Sequence, residues 1–153
     1  RTRPQVAGEM TPAEPSPDVV IRRLRMMRDA LETLDGFRGV DADRLDGDPV
    51  TRAAVERLLQ VIVDLAFDIN AHLVATTLGR SPETGRASFH DLVEAGVLDP
   101  ALAVTLAPAA GLRSVLVHHY VDLRMDLIAE AVRTVGDGFP AYITAVARYF
   151  EPS

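Results

Sequence analysis

The sequence predicts an all-α protein, an up-and-down helical bundle with one long central helix. Apolar residues recur at spacings of three and four, as on the buried face of a helix. Prolines and glycines stand at intervals where helices would begin and end, and no segment alternates polar and apolar residues as a strand does. With 153 residues, of which 48% are hydrophobic, the chain suits one domain with a single core.

The first helix is predicted from Asp18 to about Leu34. Residues 1–17 are polar, contain several prolines and lack apolar periodicity, so we expect a flexible N-terminal arm before a bundle domain spanning 18–151. Gly36 and Gly39 are expected to end the helix. The apolar positions with helical spacing are Val20, Leu24, Met27, Leu31 and Leu34.

The second predicted helix is the long one. Asp48 is a suitable N-cap and Pro49 suits the first helical position. No glycine or proline interrupts the chain from Thr51 to Leu78, and Gly79 follows where a helix would stop. This length gives about eight turns at 3.6 residues each. Its apolar stripe is wide, so the helix should contact several others, as in a bundle.

Shorter helices are predicted in the second half of the chain. The segment Ser88–Asp91 resembles a capping box that would open a short helix closed by Gly96. Asp99 and the proline after it repeat the cap-then-proline start, and Pro108 should kink or break that helix. A further helical stretch follows, and residues 136–138, Gly-Asp-Gly, are expected to separate it from a last helix ending near Phe150.

Composition and charge exclude several classes of function. The chain has no cysteine, which rules out disulfides, thiolate catalysis and cysteine-ligated metal centres and fits a cytoplasmic location. The net charge of −6 argues against broad, stable binding of nucleic acid through phosphate neutralisation. Asp64 and Asp68 interrupt the most apolar stretch, so we expect no membrane association.

Chemistry is concentrated between Arg113 and Tyr120. This segment places a guanidinium, two imidazoles and a phenol within eight residues. Arginine is a permanent planar cation suited to phosphate, and histidine exchanges protons near neutral pH. Arg113 and His118 would therefore suit cleavage of a phosphodiester, in which a base activates a hydroxyl and a cation stabilises the charge that develops on phosphorus.

Helical geometry constrains how these two side chains could cooperate. At 100° per residue, Arg113 and His118 differ by about 140° around one helix. If Leu112, Leu116, Leu123 and Leu127 form the core stripe, His119 lies beside that stripe and His118 points away from it. A site that uses both Arg113 and His118 then needs an irregular helix, a long reach by the arginine, or two copies meeting at a twofold axis. We favour the two-copy site.

Structural explanations compete for several of these residues. Adjacent histidines in a helix are commonly surface or core residues, and for His119 the structural role is favoured. For Ser114, a hydroxyl inside a helix is a simpler explanation than a nucleophile. Asn70 could line the bundle interior or a cleft between subunits, with packing favoured.

Two further clusters allow alternative interpretations. Asp64, Asp68 and His72 recur at four-residue spacing and could share a metal ion, but polar positions facing a wet part of the bundle are favoured and no metal site is expected. A basic patch on the first helix could contact RNA phosphates, although a solvated helix face is the default. The patch consists of Arg22, Arg23, Arg25 and Arg28.

The motif and its surroundings resemble a known family. Arg-x4-6-His is the hallmark of HEPN domains, and the Arg113-x4-His118-x-Tyr120 pattern is similar to the narrower HepT type. Residues 52–60 (RAAVERLLQ) and 64–73 (DLAFDINAHL) resemble the family's long second helix, and 88–98 (SFHDLVEAGVL) its segment before the motif. The similarity covers roughly residues 18–150.

This resemblance implies a HEPN-like homodimer, the toxin of a toxin–antitoxin pair with an MNT-type nucleotidyltransferase antitoxin. It implies a metal-independent endoribonuclease that needs no cofactor and acts on an RNA such as tRNA or mRNA. His118 would be the general acid/base, Arg113 would bind phosphate, and Tyr120 would accept a nucleotide (AMPylation) that silences the toxin. Ser114 stands where the family often has asparagine, which puts catalytic efficiency in question. The alternative is a non-catalytic helical partner of the nucleotidyltransferase.

Overall fold

The computed structural model describes residues 14–118 and 124–153, with the backbone alone at His118. Every regular element within these ranges is a helix, as the sequence predicts. The helices are α1 (Pro17–Asp35), α2 (Ala42–Gly47), α3 (Pro49–Leu78), α4 (Gly85–Glu94), α5 (Pro100–Leu106), α6 (Ala109–His118) and α7 (Met125–Tyr149).

Helix α1 starts one residue before its predicted position, and its buried residues include all five of the predicted apolar positions. The described chain begins just before it, at Glu14. There the backbone N–H of Ser16 donates to Nε2 of His72 on α3, at 3.0 Å. Residues 1–13 of the predicted arm lie outside the described residues, so the arm and its boundary stay a prediction.

Helix α3 has the predicted ends. The Asp48 carboxylate accepts a hydrogen bond from the backbone N–H of Thr51 at 3.1 Å, and this bond lowers the pKa of the Asp48 carboxyl. Gly79 ends the helix in the left-handed conformation, with φ of 69°. The short helix α2, capped by Asp41, was not predicted. With only six residues, it is too short to show apolar periodicity.

The predicted start of α4 was wrong. The helix begins at Gly85, and the side chain of Thr84 accepts from the backbone N–H of Ala87 at 3.0 Å as the N-cap. Ser88 lies inside the helix and is buried. Its hydroxyl donates to the carbonyl of Gly85 and does not cap the N-terminus of the helix. The predicted end at Gly96 agrees with the structure, where that residue has φ of 77°.

The next two helices follow the predicted breaks. Asp99 caps α5 by accepting from the N–H of Leu102 at 2.8 Å. The chain leaves the helix at Ala107 and Pro108 and resumes as α6. Proline cannot donate to the preceding turn, which explains the interruption.

The predicted break at residues 136–138 was also wrong, because α7 runs through both glycines and through Pro140. The helix is amphipathic over its length and buries residues such as Val132, Val135 and Phe139. A side chain at position 138 would bring its Cβ within 3.1 Å of Leu106 Cδ2, so Gly138 serves a close helix–helix approach. Packing here outweighs the poor helix propensity of glycine.

Helix α3 contacts α1, α2, α4, α6 and α7. The largest fully buried side chains are Tyr142 and Phe139 of α7 and Phe89 of α4. Their rings lie at 5.7–6.4 Å between centroids in tilted or edge-to-face arrangements. Aromatic rings at these separations add attraction beyond the burial of their area. The core therefore ties the C-terminal helix to α3 and α4.

By length and hydropathy alone, two stretches of the described residues could span a membrane, contrary to the expectation from Asp64 and Asp68. They are Pro49–Leu78 and Pro100–Val117. Half of the most apolar window of the first is buried in the bundle, and the second is divided between α5 and α6. Core helices of this kind pass the same test as membrane spans.

Candidate active site on helix α6

Helix α6 carries both residues of the predicted catalytic pair. Arg113 lies in its middle and position 118 is its last residue. Leu116 is 8% exposed and marks the face of α6 that packs into the core. On a regular helix, position 118 lies about 160° from Leu116 and about 140° from Arg113. The backbone therefore keeps the two positions on different sides of α6.

The predicted leucine stripe does not continue into the next helix. Leu116 is buried, but Leu127 is 46% exposed. Arg124 has an extended backbone, with φ of −84° and ψ of 117°, so the helical register is lost before α7 begins. Residues 119–123 lie outside the described residues. The predictions for His119, Tyr120 and Leu123 fall there.

Arg113 contacts the long helix through a single well-formed bond. Its Nε–H donates to Oδ1 of Asp64 on α3 at 3.0 Å. The side chains of Arg113 and Asp64 are 40% and 38% exposed, so the pair lies at the protein surface. The sequence reasoning missed this partnership. The signal available in the sequence was an acidic residue between two apolar residues, Val63 and Leu65.

The remaining supporting residues take different positions. Ser114 is exposed on α6 next to Arg113. Asn70 is fully buried, where its Nδ2 donates to Ser88 Oγ at 2.9 Å and its Oδ1 accepts from the Tyr142 hydroxyl at 2.6 Å. Asn70 thus joins α3 to α4 and α7 inside one subunit.

Asp64, Asp68 and His72 have three separate partners in the described chain. Asp64 holds Arg113, and Asp68 forms a longer ion pair of 3.8 Å with Arg23. His72 accepts from the Ser16 backbone at 3.0 Å. Within residues 14–118 and 124–153, no group of three acidic or histidine side chains is placed to hold a metal ion.

The basic patch on α1 is only partly engaged. Arg23 is half-buried and pairs with Asp68, whereas Arg22, Arg25 and Arg28 are exposed. No contact in the described structure joins this patch to Arg113. It therefore stays a separate, solvated surface.

An apolar groove of about 390 Å³ opens beside α6. Leu112 and Val115 of α6 line one side, and Leu127 and Ala131 of α7 line the other. It lies beside the helix that carries Arg113, yet the described residues that line it include neither Arg113 nor another cation suited to phosphate. This groove can bury apolar surface, but it does not complete a catalytic site.

Comparison with known proteins identifies relatives over most of the chain. The family model described as Ribonuclease HepT-like matches residues 27–146. The tRNA nuclease HepT of Aphanizomenon flos-aquae is 30% identical over 133 residues, covering 87% of this chain and 90% of that protein. The mRNA nuclease HepT of Shewanella oneidensis is 22% identical over 129 residues, covering 84% of this chain and 96% of that protein.

The fold is also found among solved structures. The tri-AMPylated HEPN toxin of Shewanella oneidensis, in complex with an MNT antitoxin, superimposes with a TM-score of 0.75. That match covers 87% of this chain and 99% of the toxin at 21% sequence identity. The likeness shows that the helices described above form a HEPN-like fold.

Proposed function

Because the chain belongs to the HepT-like ribonuclease family, we propose that it is the toxin of a HEPN/MNT toxin–antitoxin pair and cleaves RNA as a metal-independent endoribonuclease. The observation that carries this proposal is Arg113, a half-exposed guanidinium fixed on α6 at five residues from His118. The nuclease names of the two curated relatives support the same reaction class.

The proposed chemistry divides between two side chains. His118 takes the proton from a ribose hydroxyl, whose oxygen then attacks the adjacent phosphorus. The bond from phosphorus to the departing oxygen breaks, and that oxygen takes a proton from water. Arg113 binds the nonbridging phosphate oxygens and stabilises the added negative charge. Neither step needs a metal ion, and the proposed site uses none.

We place the complete site between two copies of the chain. On one helix Arg113 and position 118 are separated by about 140°, so one subunit does not bring them together along a single face. A twofold axis near α6 would place Arg113 of one copy opposite His118 of the other. Burial of the apolar groove beside α6 by the second copy would favour such a dimer.

Cleavage of RNA in the presence of a chelator tests the activity. Purified, unmodified protein should cleave RNA, and His118→Ala and Arg113→Ala should each reduce the rate by at least about 100-fold. His90→Ala and Arg148→Ala are matched controls, since both residues are exposed and lie on other helices. Wild-type rates in His118→Ala would remove His118 from the site. Co-purification with the antitoxin without any cleavage would favour the non-catalytic alternative.

We propose Tyr120 as the residue that the antitoxin modifies. The AMPylated state of the Shewanella oneidensis toxin in complex with its antitoxin supports this assignment. Each added AMP would place negative charge two residues from His118 and repel the RNA backbone. Intact mass after co-expression should rise by whole AMP units, and Tyr120→Phe should abolish the rise. Tyr149→Phe is the control and should still gain AMP. If Tyr149→Phe abolishes the mass increase and Tyr120→Phe does not, the assignment is wrong.

A further inference from the structure

We propose that Asp64 is a positioning residue for Arg113. Its carboxylate binds Nε of the guanidinium, so that the two Nη groups face the phosphate. This inference rests on the proposed ribonuclease function. The contact joins residues 49 positions apart and links α6 to the middle of α3. Asp64 lies well inside the 30 residues of α3, far from both capped ends, so the carboxylate has a rigid support.

The atom that makes the contact determines what the arginine can still bind. Asp64 accepts from Nε–H at 3.0 Å, and no acceptor among the described residues bonds either Nη of Arg113. Toward the described residues, the two Nη groups therefore keep their four N–H donors. A planar guanidinium held at Nε presents a fork of these donors that matches two phosphate oxygens. Asp64 thus fixes the plane without occupying the phosphate-binding edge.

Stability gives little reason for the pair. Both side chains are more than one-third exposed, and ion pairs at such positions contribute little because solvent screens them. The pair matters more for the orientation of Arg113, because a small displacement of a catalytic group lowers the rate by a large factor. An aspartate at this position is explained better by aiming Arg113 than by supporting the bundle.

Asp68 provides a matched control one helical turn away. It is also an acidic residue of α3, but it pairs with Arg23 of α1 at 3.8 Å and its side chain is 63% exposed. Removal of either carboxylate changes the net charge and helix composition equally. Only Asp64 should affect the α6 site.

The test combines RNA cleavage kinetics with NMR of the arginine side chain. Asp64→Ala should lower kcat by about 10- to 100-fold with a smaller change in KM, since the bound arginine is misaimed rather than lost. Asp64→Asn keeps an oxygen that can accept from Nε–H and should retain most of the rate. Asp68→Ala should cleave as the wild type does, and all variants should share the wild-type urea midpoint.

Two measurements distinguish a role of Asp64 in orienting Arg113 from an indirect effect on the fold. The Nε–H resonance of Arg113 should shift and exchange faster in Asp64→Ala but not in Asp68→Ala. In an Arg113→Ala background, Asp64→Ala should cause no further loss, because both changes remove one function. Asp64→Ser repeats the test with a small polar side chain in case the alanine variant unfolds.

The failures are distinguishable. If Arg113→Ala abolishes cleavage while Asp64→Ala and Asp64→Ser cleave normally, the positioning role is wrong and the proposed function stands. An additive loss in the double variant would also overturn it. If the wild type does not cleave RNA, or Arg113→Ala cleaves normally, the proposed function fails and the inference fails with it.

Discussion

A continuous chain of buried hydrogen bonds connects three helices through Tyr142, Asn70 and Ser88. The Tyr142 hydroxyl donates to Asn70, Asn70 donates to Ser88, and Ser88 donates to the carbonyl of Gly85. Each of these three side chains is at most 2% exposed, so water cannot replace a lost partner. Such a network fixes how α3, α4 and α7 pack and costs free energy when one member is removed.

Tyr142→Phe should destabilise the protein by about 1–3 kcal/mol, since Asn70 Oδ1 would lose its closest donor in a buried position. The ring itself would still fill its place among Phe89 and Phe139. Urea unfolding followed by circular dichroism measures the change. Tyr149→Phe, at a partly buried position, is the control and should change the free energy of unfolding by a few tenths of a kcal/mol. Equal losses in both variants would contradict a role for the network.

The same tyrosine should make stability sensitive to alkaline pH. Burial raises the pKa of the Tyr142 hydroxyl well above its ordinary value. An unfolded tyrosine ionises near pH 10, so above that pH the unfolded state loses the proton first and is favoured. The free energy of unfolding should therefore fall by up to about 1.4 kcal/mol per pH unit above pH 10, and Tyr142→Phe should remove this slope.

The composition leaves few other side chains that titrate in this pH range. All 16 basic side chains are arginines, which do not deprotonate in this range, and the chain has neither lysine nor cysteine. Tyrosines are then the principal side chains that titrate between pH 9 and 11. An identical alkaline slope in wild type and Tyr142→Phe would show that another group carries the effect.

At the scale of single helices, Gly79 has a defined conformational role. Its left-handed φ of 69° ends α3, and its N–H bonds back to the carbonyl of Ala75 at 3.1 Å. Gly79→Ala should destabilise the protein by about 1 kcal/mol, because a Cβ is unfavourable in this conformation. The control is Gly39→Ala, where φ is not positive and no atom lies within 4 Å of an added Cβ. Thermal unfolding of both variants tests the difference, and an equal Tm would contradict it.

Helix ends were predictable where the signal is local. Asp48 with Pro49, Gly79 and Pro108 act on their own turn of chain, and the structure places ends at each of them. The predicted helix boundaries were wrong where contacts between residues distant in sequence determine the structure. Ser88 resembled a cap but bonds to Asn70 across the core. The two glycines of α7 resembled a helix break, but the helix continues through them and Gly138 permits close packing on α5.

The candidate site shows the same division between local and distant information. Arg113 and His118 were identified from their spacing, and the structure places both positions on α6. Asp64 as the partner of Arg113 could not be read from spacing, because α3 and α6 meet only through the tertiary fold. Sequence spacing predicted the chemistry, whereas the contact between Asp64 and Arg113 could be seen only in the packed bundle.

At the scale of the whole molecule, the acidic charge and the cationic site have to be reconciled. A net charge of −6 repels an RNA backbone at long range, whereas the proposed site would attract phosphate locally through Arg113. Nonspecific electrostatic attraction therefore contributes little to the affinity of such a protein for RNA. We therefore expect it to recognise a limited, structured RNA through close contacts rather than to coat RNA generally.

The two-copy site makes a prediction about mixtures of inactive subunits. Arg113→Ala and His118→Ala should each retain at most about one hundredth of the wild-type rate alone. After the two are unfolded together and refolded, half of the dimers should be mixed if association is random, and each mixed dimer should contain one intact site composed of Arg113 from one copy and His118 from the other. The mixture should therefore recover about a quarter of the wild-type activity.

Size-exclusion chromatography with light scattering should show a dimer for the wild type and for both variants, so that loss of activity in the separate variants is not loss of assembly. Each variant refolded with itself is the matched control and should stay inactive. If the mixture also stays inactive while dimers form, Arg113 and His118 act within one subunit. The helix would then have to deviate from regular geometry near position 118, since about 140° separates the two positions on an undistorted helix. Recovery on mixing would instead explain why a single helix can carry both residues on different sides and still serve one reaction.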